Sequence, residues 1–243
     1  IFFVAAASYI TPNFSVFSIF FIYNFFLEYK FSKKIGYLAV INLVLALPAL
    51  IYYYNFDFYL LDVSLSEVDY SIKYNIFNKI ILIISIIFFY YLPFLNKKIC
   101  YKFFFEIKNL KKNYIIIFIF LNSIIFYNFP NNFGGGVFYH ISNKIFSNSI
   151  FLFLVFLVSL YIFKASKIYN TNNIILFICL ILYNIQTSIY HKYFDPLLLF
   201  VLLFLFSFHK SNVKINIKEL SKRFYYLYFI FLGMSFYKIS FLI

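Results

Sequence analysis

Long apolar runs recur along this chain, and the short connections between them alternate between lysine-rich and lysine-poor. That alternation restricts the fold more than any single motif does. At 64% hydrophobic and 12% charged residues, with a mean hydropathy of +0.88, a soluble protein of 243 residues could not enclose so much apolar surface, whereas a bilayer solvates it. The expected fold is therefore all-α: a polytopic transmembrane helix bundle of about eight or nine membrane helices with short loops. Residues 1–243 read as one transmembrane domain. The chain opens at Ile1 inside an apolar segment with no basic n-region, so it reads as the C-terminal part of a longer protein.

Residues 1–10 read as the end of one helix, Thr11, Pro12 and Asn13 as a tight turn, and 14–27 as a second apolar run. Further spans are expected at about 36–54, 76–95, 114–127, 150–163 and 174–190, in a run opened by Pro196, and at about 224–242. The connection after 95 carries Lys97, Lys98, Lys102, Lys108, Lys111 and Lys112 against Glu106, and reads as a cytoplasmic loop. Assigning alternate connections to opposite sides puts about 16 Lys and Arg on one side and about 5 on the other, which orients the lysine-rich side inward. The expected location is a bacterial inner membrane. The net charge of +13 then points to the lipid bilayer and its anionic lipids as partner, with no nucleic acid. With no Trp in the chain, the 25 tyrosines must supply any interfacial aromatic belt.

Soluble-enzyme signatures are absent: there is no Walker loop, GxGxxG, HExxH or GxSxG. Cys100 and Cys179 have no partner spacing, and His140, His191 and His209 form no ligand pair, so no metal site is expected from them. Polar groups in the lysine-poor connections are the remaining candidates. Asp57, Asp62, Glu67 and Asp69 form an acidic stretch that can bind a divalent cation or supply a base, or simply be solvated. Gly134, Gly135 and Gly136 either offer backbone amides to a phosphate or make a flexible turn, and His140 follows as a proton carrier. The densest cluster is Gln186, Tyr190, His191, Lys192, Tyr193, Phe194, Asp195 and Pro196. There Gln186 lies within an apolar run and needs a partner, Lys192 can meet a lipid phosphate, and Asp195 can cap the next helix. The plainer reading of this cluster is an interfacial clamp of tyrosines and a snorkelling lysine.

The stretch from Tyr190 to Pro196, followed by an apolar run, resembles a late segment of polytopic glycosyltransferases of the GT-C type, in which an RYxxP or KYxxP turn leads into a late helix. The resemblance implies transfer of a sugar from a polyprenyl-phosphate donor at the outer face, in cell-envelope or lipid-linked glycan synthesis. It implies donor-phosphate contacts for Lys192 and Tyr193. The family's Arg-Gln pair is missing near Thr11, Pro12 and Asn13, and no residue matches its catalytic carboxylate, which is expected upstream of Ile1.

Three other functions compete with this one. An O-antigen-type polymerase or ligase shares the topology but depends on outer arginines, and Arg223, the single arginine, falls on the inner side. A transporter or flippase is expected to show repeats or intramembrane charges. A non-catalytic subunit of a membrane complex needs no outer site at all.

Overall fold

The computed structural model describes residues 12–30, 32–55, 76–108, 113–129, 134–183, 197–198 and 200–207, and parts of 222–236. Among these residues all regular structure is helical. A 3-10 turn, Pro12–Val16, leads into α1 (Phe17–Tyr29), and α2 (Lys33–Asn55) follows. Then come α3 (Ile76–Tyr91), α4 (Lys97–Lys108), α5 (Tyr114–Ile125), α6 (Gly136–Ile145), α7 (Ile150–Ala165) and α8 (Thr171–Tyr183). A π-helical turn over Val201–Leu205 closes with the Phe206 amide donating to the Val201 carbonyl at 2.9 Å.

The centre of the fold is α3. Every residue from Ile81 to Tyr91 is buried, which a helix tolerates only when it is apolar on all sides and surrounded. The one serine in that stretch, Ser85, donates to the Leu82 carbonyl at 2.7 Å and asks nothing of its neighbours. Pro93 lies in the 3-10 turn Leu92–Phe94 that ends the helix, consistent with its missing amide. Helices α5, α6, α7 and α8 all pack against α3; α1 lies on α8, α2 on α1, and α4 on α7.

Aromatic rings join these helices into one ladder. Phe151 of α7 lies 6.4 Å from Phe138 of α6, which lies 6.0 Å from Phe88 of α3; Phe88 meets Phe163 of α7 at 6.2 Å. Phe163 continues to Phe177 of α8 at 5.7 Å, and Phe177 to Phe206 at 5.3 Å. Each such pair adds about 0.5–1.5 kcal/mol beyond the apolar area it buries.

The helix directions sort the charges. Asn78 at the start of α3 meets Asn128 just after α5, and Tyr127 meets Phe153 near the start of α7, so these termini share one end of the bundle. At the opposite end lie the close of α3, all of α4, and the close of α7, where Glu106 pairs with Lys164. Tyr183 at the close of α8 touches Phe14 and Phe17, and Cys179 one turn earlier reaches the Val16 carbonyl, so α1 and α8 run antiparallel and Lys30, Lys33 and Lys34 fall at that opposite end too. The lysine end thus gathers these three together with Lys97, Lys98, Lys102, Lys108, Lys164 and Lys167, whereas Lys79 and Lys144 sit toward the other, glycine end.

Two connections expected as loops contain helices. In 97–108, Ile99, Phe103 and Glu106 recur every three to four residues and form the buried side of α4, while the lysines that suggest a loop lie on the other faces. The Asn96 side chain caps α4 by accepting from the Ile99 amide at 2.9 Å. In 128–148, the left-handed turn at Gly135 starts α6. Among the described residues one stretch, Ile76–Phe94, with 19 residues and mean hydropathy 2.0, is long and apolar enough to cross a membrane alone. Helices α5, α7 and α8 are apolar but have 12, 16 and 13 residues, short of the roughly 20 that cross a full hydrocarbon core.

Phe163 is 1% exposed and central to the ladder, so Phe163→Ala is expected to cost about 3–5 kcal/mol, read as a lowered melting temperature of the purified protein in detergent. Phe204→Ala, at a side chain 72% exposed, is expected to leave melting nearly unchanged. Equal effects would mean that the ladder does not hold the bundle.

Candidate functional site

Polar groups at the glycine end are assembled by three segments. Asn78 and Lys79 occupy the first turn of α3, and both are buried although the helix is otherwise apolar. The Asn78 amide nitrogen donates to the Asn128 carbonyl at 2.6 Å, and the Asn128 amide donates back to the Asn78 side-chain oxygen at 2.9 Å. One side chain therefore satisfies both backbone groups of a residue 50 positions away, fixing where the chain leaves α5. Next to it, Phe129 packs edge-on against Tyr139 of α6 at 4.9 Å.

Tyr139 is held in turn by the glycines. Gly134, Gly135 and Gly136 have φ of 79°, 95° and 89°, in the region that side chains avoid. A Cβ on Gly135 would lie 2.3 Å from the Tyr139 ring, so the backbone there rests directly on the phenol. Of the two sequence readings of this triplet, a flexible turn fits Gly135 poorly, because packing fixes it. Tyr139 is buried, and burial pushes its pKa above the ordinary phenol value, opposed by a hydrogen bond with Asn143; it is a neutral hydrogen-bonding group at any physiological pH. His140 follows, half-buried, its ring 5.6 Å from that of Tyr139.

The turn from α6 to α7 is locked as well. The Ser142 hydroxyl donates to the Asn148 carbonyl and accepts from the Leu152 amide at 3.2 Å, while the Asn148 side chain accepts from the Ile150 amide at 3.0 Å. The glycine end is thus a rigid platform carrying Asn78, Lys79, Tyr139 and His140. Sequence reasoning selected His140 and the glycines. It passed over Asn78 and Lys79, although two polar residues inside an apolar run are the same signal that singled out Gln186. Gln186, Tyr190, His191, Lys192, Tyr193 and Asp195, and the acids Asp57, Asp62, Glu67 and Asp69, lie outside the described residues. Among the described residues, no three His, Cys, Asp or Glu side chains gather as a metal site.

Two substitutions probe the platform. Gly135→Ala meets both an unfavourable φ and the Tyr139 ring, and is expected to destabilise by about 2–4 kcal/mol. Asn78→Leu strands the amide and carbonyl of Asn128 and is expected to cost about 2–4 kcal/mol in the same melting measurement. An unshifted transition in either variant would show that this end is not fixed as described. In comparisons with known proteins, no family model matches the chain, and neither a curated protein nor a solved structure matches it at a significant level.

Proposed function

We propose that this chain is a multi-pass membrane-embedded helical domain, of a bacterial inner membrane, that transfers a sugar from a polyprenyl-phosphate donor met at the glycine end, in the manner of GT-C type glycosyltransferases. The observation that carries the membrane part is the outer surface of the bundle. Large apolar side chains are exposed over long stretches: Tyr37, Val40, Ile41, Leu43, Val44, Leu47 and Ile51 along α2, Ile115, Phe118, Leu121 and Ile125 along α5, and Phe200 and Phe204 farther on. Contiguous surface of this kind is not stable in water, and lipid tails solvate it. Asparagines on α1, α2 and α5 are self-contained: Asn24 donates to the Phe20 carbonyl, Asn42 to Leu38 and Asn122 to Phe118, each one turn back. An asparagine bonded to its own helix is tolerable beside hydrocarbon. Helices shorter than a full span fit a locally thinned bilayer, with flanking Tyr and Asn at the interface.

For orientation, the gathering of lysines at one end supports a cytoplasmic lysine end and an outer glycine end. For chemistry, the support is a buried ammonium, Lys79, beside a rigid polar platform within an apolar bundle, together with the Lys192 and Tyr193 turn read in the sequence. In the reaction an acceptor hydroxyl attacks the anomeric carbon, the bond from that carbon to the phosphate oxygen breaks, and polyprenyl phosphate leaves with the electron pair. A base receives the hydroxyl proton, and lysine neutralises the departing phosphate where water is scarce.

Orientation is tested with the native cysteines, since Cys100 is exposed at the lysine end and Cys179 is buried. A membrane-impermeant maleimide is expected to label Cys100 in inside-out vesicles and not in intact cells; labelling of intact cells would reverse the orientation. For transfer, label passing from a polyprenyl-phosphate sugar to acceptor is expected to fall by roughly 10²-fold in Lys192→Ala and in Lys79→Gln. Unchanged transfer in both variants would remove the phosphate-binding role, and donor counterflow without covalent product would identify a transporter.

A further inference from the structure

Helix α4 is anchored at both ends and on one face, and its other face carries a different kind of surface. Ile99 is fully buried against the bundle and Phe103 packs beside it. At the C-terminal end, Glu106 pairs with Lys164 of α7 at 3.1 Å, Asn113 donates from its side chain to the Glu106 carbonyl at 2.7 Å, and Lys164 also donates to the Asn113 side-chain oxygen. The Asn96 cap holds the first turn. The helix is therefore fixed in rotation, with its single carboxylate turned inward and already paired.

The outward face combines cations with aromatics. Tyr101, Phe104 and Phe105 are 78%, 63% and 61% exposed, and Lys97, Lys98 and Lys108 flank them on the exposed side. At 100° per residue, Lys97, Tyr101, Phe104 and Lys108 lie within about one third of the helix circumference, directly opposite Ile99. Among the described residues no carboxylate pairs with Lys97, Lys98 or Lys108. Three rings with lysines at both ends of a helix form a surface that neither water nor a purely hydrocarbon layer suits. Rings favour the acyl boundary, and ammonium groups favour phosphates just above it.

We propose that the exposed face of α4 is a docking surface for anionic phospholipid, lying in the headgroup region at the lysine end of the bundle, with Phe104 and Phe105 at the acyl boundary and Lys97, Lys98 and Lys108 on lipid phosphates. Charge complementarity selects this occupant: among the described residues the face is cationic without a counter-charge, and anionic lipids are concentrated on the cytoplasmic leaflet. The inference rests on the membrane reading above but not on sugar transfer.

The chain contains no Trp, so one introduced indole reports alone. The full-length protein with Phe104→Trp is reconstituted in nanodiscs of zwitterionic lipid containing a minor fraction of phosphatidylglycerol. Bromine is placed near the headgroup end of the acyl chains of either the anionic or the zwitterionic lipid, at equal mole fraction of brominated species. Severalfold stronger quenching by the anionic lipid is expected, declining as salt is raised. Changing Lys97, Lys98 and Lys108 together to Gln is expected to bring the ratio to one, and changing them to Arg to keep it. Equal quenching by both lipids, or a ratio indifferent to the Gln substitutions, overturns the proposal. A second reporter, Phe118→Trp on the exposed side of α5, separates the two failures. Quenching at position 118 by both lipids, with none at 104, overturns the α4 proposal alone, whereas no quenching at either position overturns the membrane reading beneath it.

Discussion

The burial of α3 on every side governs the rest of this molecule. Once the stretch from Ile81 to Tyr91 is enclosed by α5, α6, α7 and α8, the inward faces of those four helices are used up. Their remaining faces are nevertheless apolar too, as Phe118 and Leu121 on α5, Leu154 on α7 and Ile178 on α8 show by their exposure. A water-soluble bundle resolves this by alternating apolar and polar faces; here the sequence does not alternate, and the difference is taken up by the surroundings. The aromatic ladder matters for the same reason. In the membrane setting proposed above, the hydrophobic effect would not favour helix association over exposure to lipid, and packing geometry between rings would supply the preference.

Polar side chains are confined to jobs that an apolar bundle cannot do otherwise. Asn96 and Asn170 cap helix starts, the latter by accepting from the Asn173 amide at 2.8 Å. Asn173 accepts from the Ser207 amide at 2.9 Å and so ties the start of α8 to the segment after the π-helical turn. At the close of α7, Lys167 takes the left-handed position usually given to glycine; its amide donates to the Lys164 carbonyl, and that of Ile168 to Phe163. Each bond removes an orphan backbone group at a helix end, where the cost of leaving it unmet is highest in an apolar medium.

Much of the helical layout is legible in the sequence, because period and polarity both report it. The runs expected at 76–95, 114–127 and 150–163 correspond closely to α3, α5 and α7. What escapes is of two kinds. α4 and α6 are hidden because one charge or glycine signal per turn outweighs a short apolar face in any reading by composition, although Ile99, Phe103 and Glu106 carry the helical spacing. The clasp of Asn78 on Asn128 is hidden for a deeper reason. It is a long-range bond between two common residues, in a chain so rich in asparagine that compositional bias explains them without any structural role. Only the tertiary arrangement separates an asparagine that closes on its own helix, such as Asn122, from one that reaches across the bundle.

Exposed cations predominate at the lysine end, whereas the glycine end holds the exposed Lys144 and one enclosed cation, Lys79. At the lysine end, ammonium groups such as Lys97, Lys98 and Lys108 are exposed, so their attraction for anions is screened by water and salt and acts over a surface. At the glycine end, Lys79 is 2% exposed, and a charge enclosed at that depth interacts strongly with whatever anionic or dipolar group comes within reach. A surface of many weak cations suits a fluid, abundant partner such as anionic lipid, whereas a single enclosed cation on a rigid support suits one phosphate at a time. On the reading proposed above, the asymmetry in lysine placement would assign one end to the membrane surface and the other to a substrate.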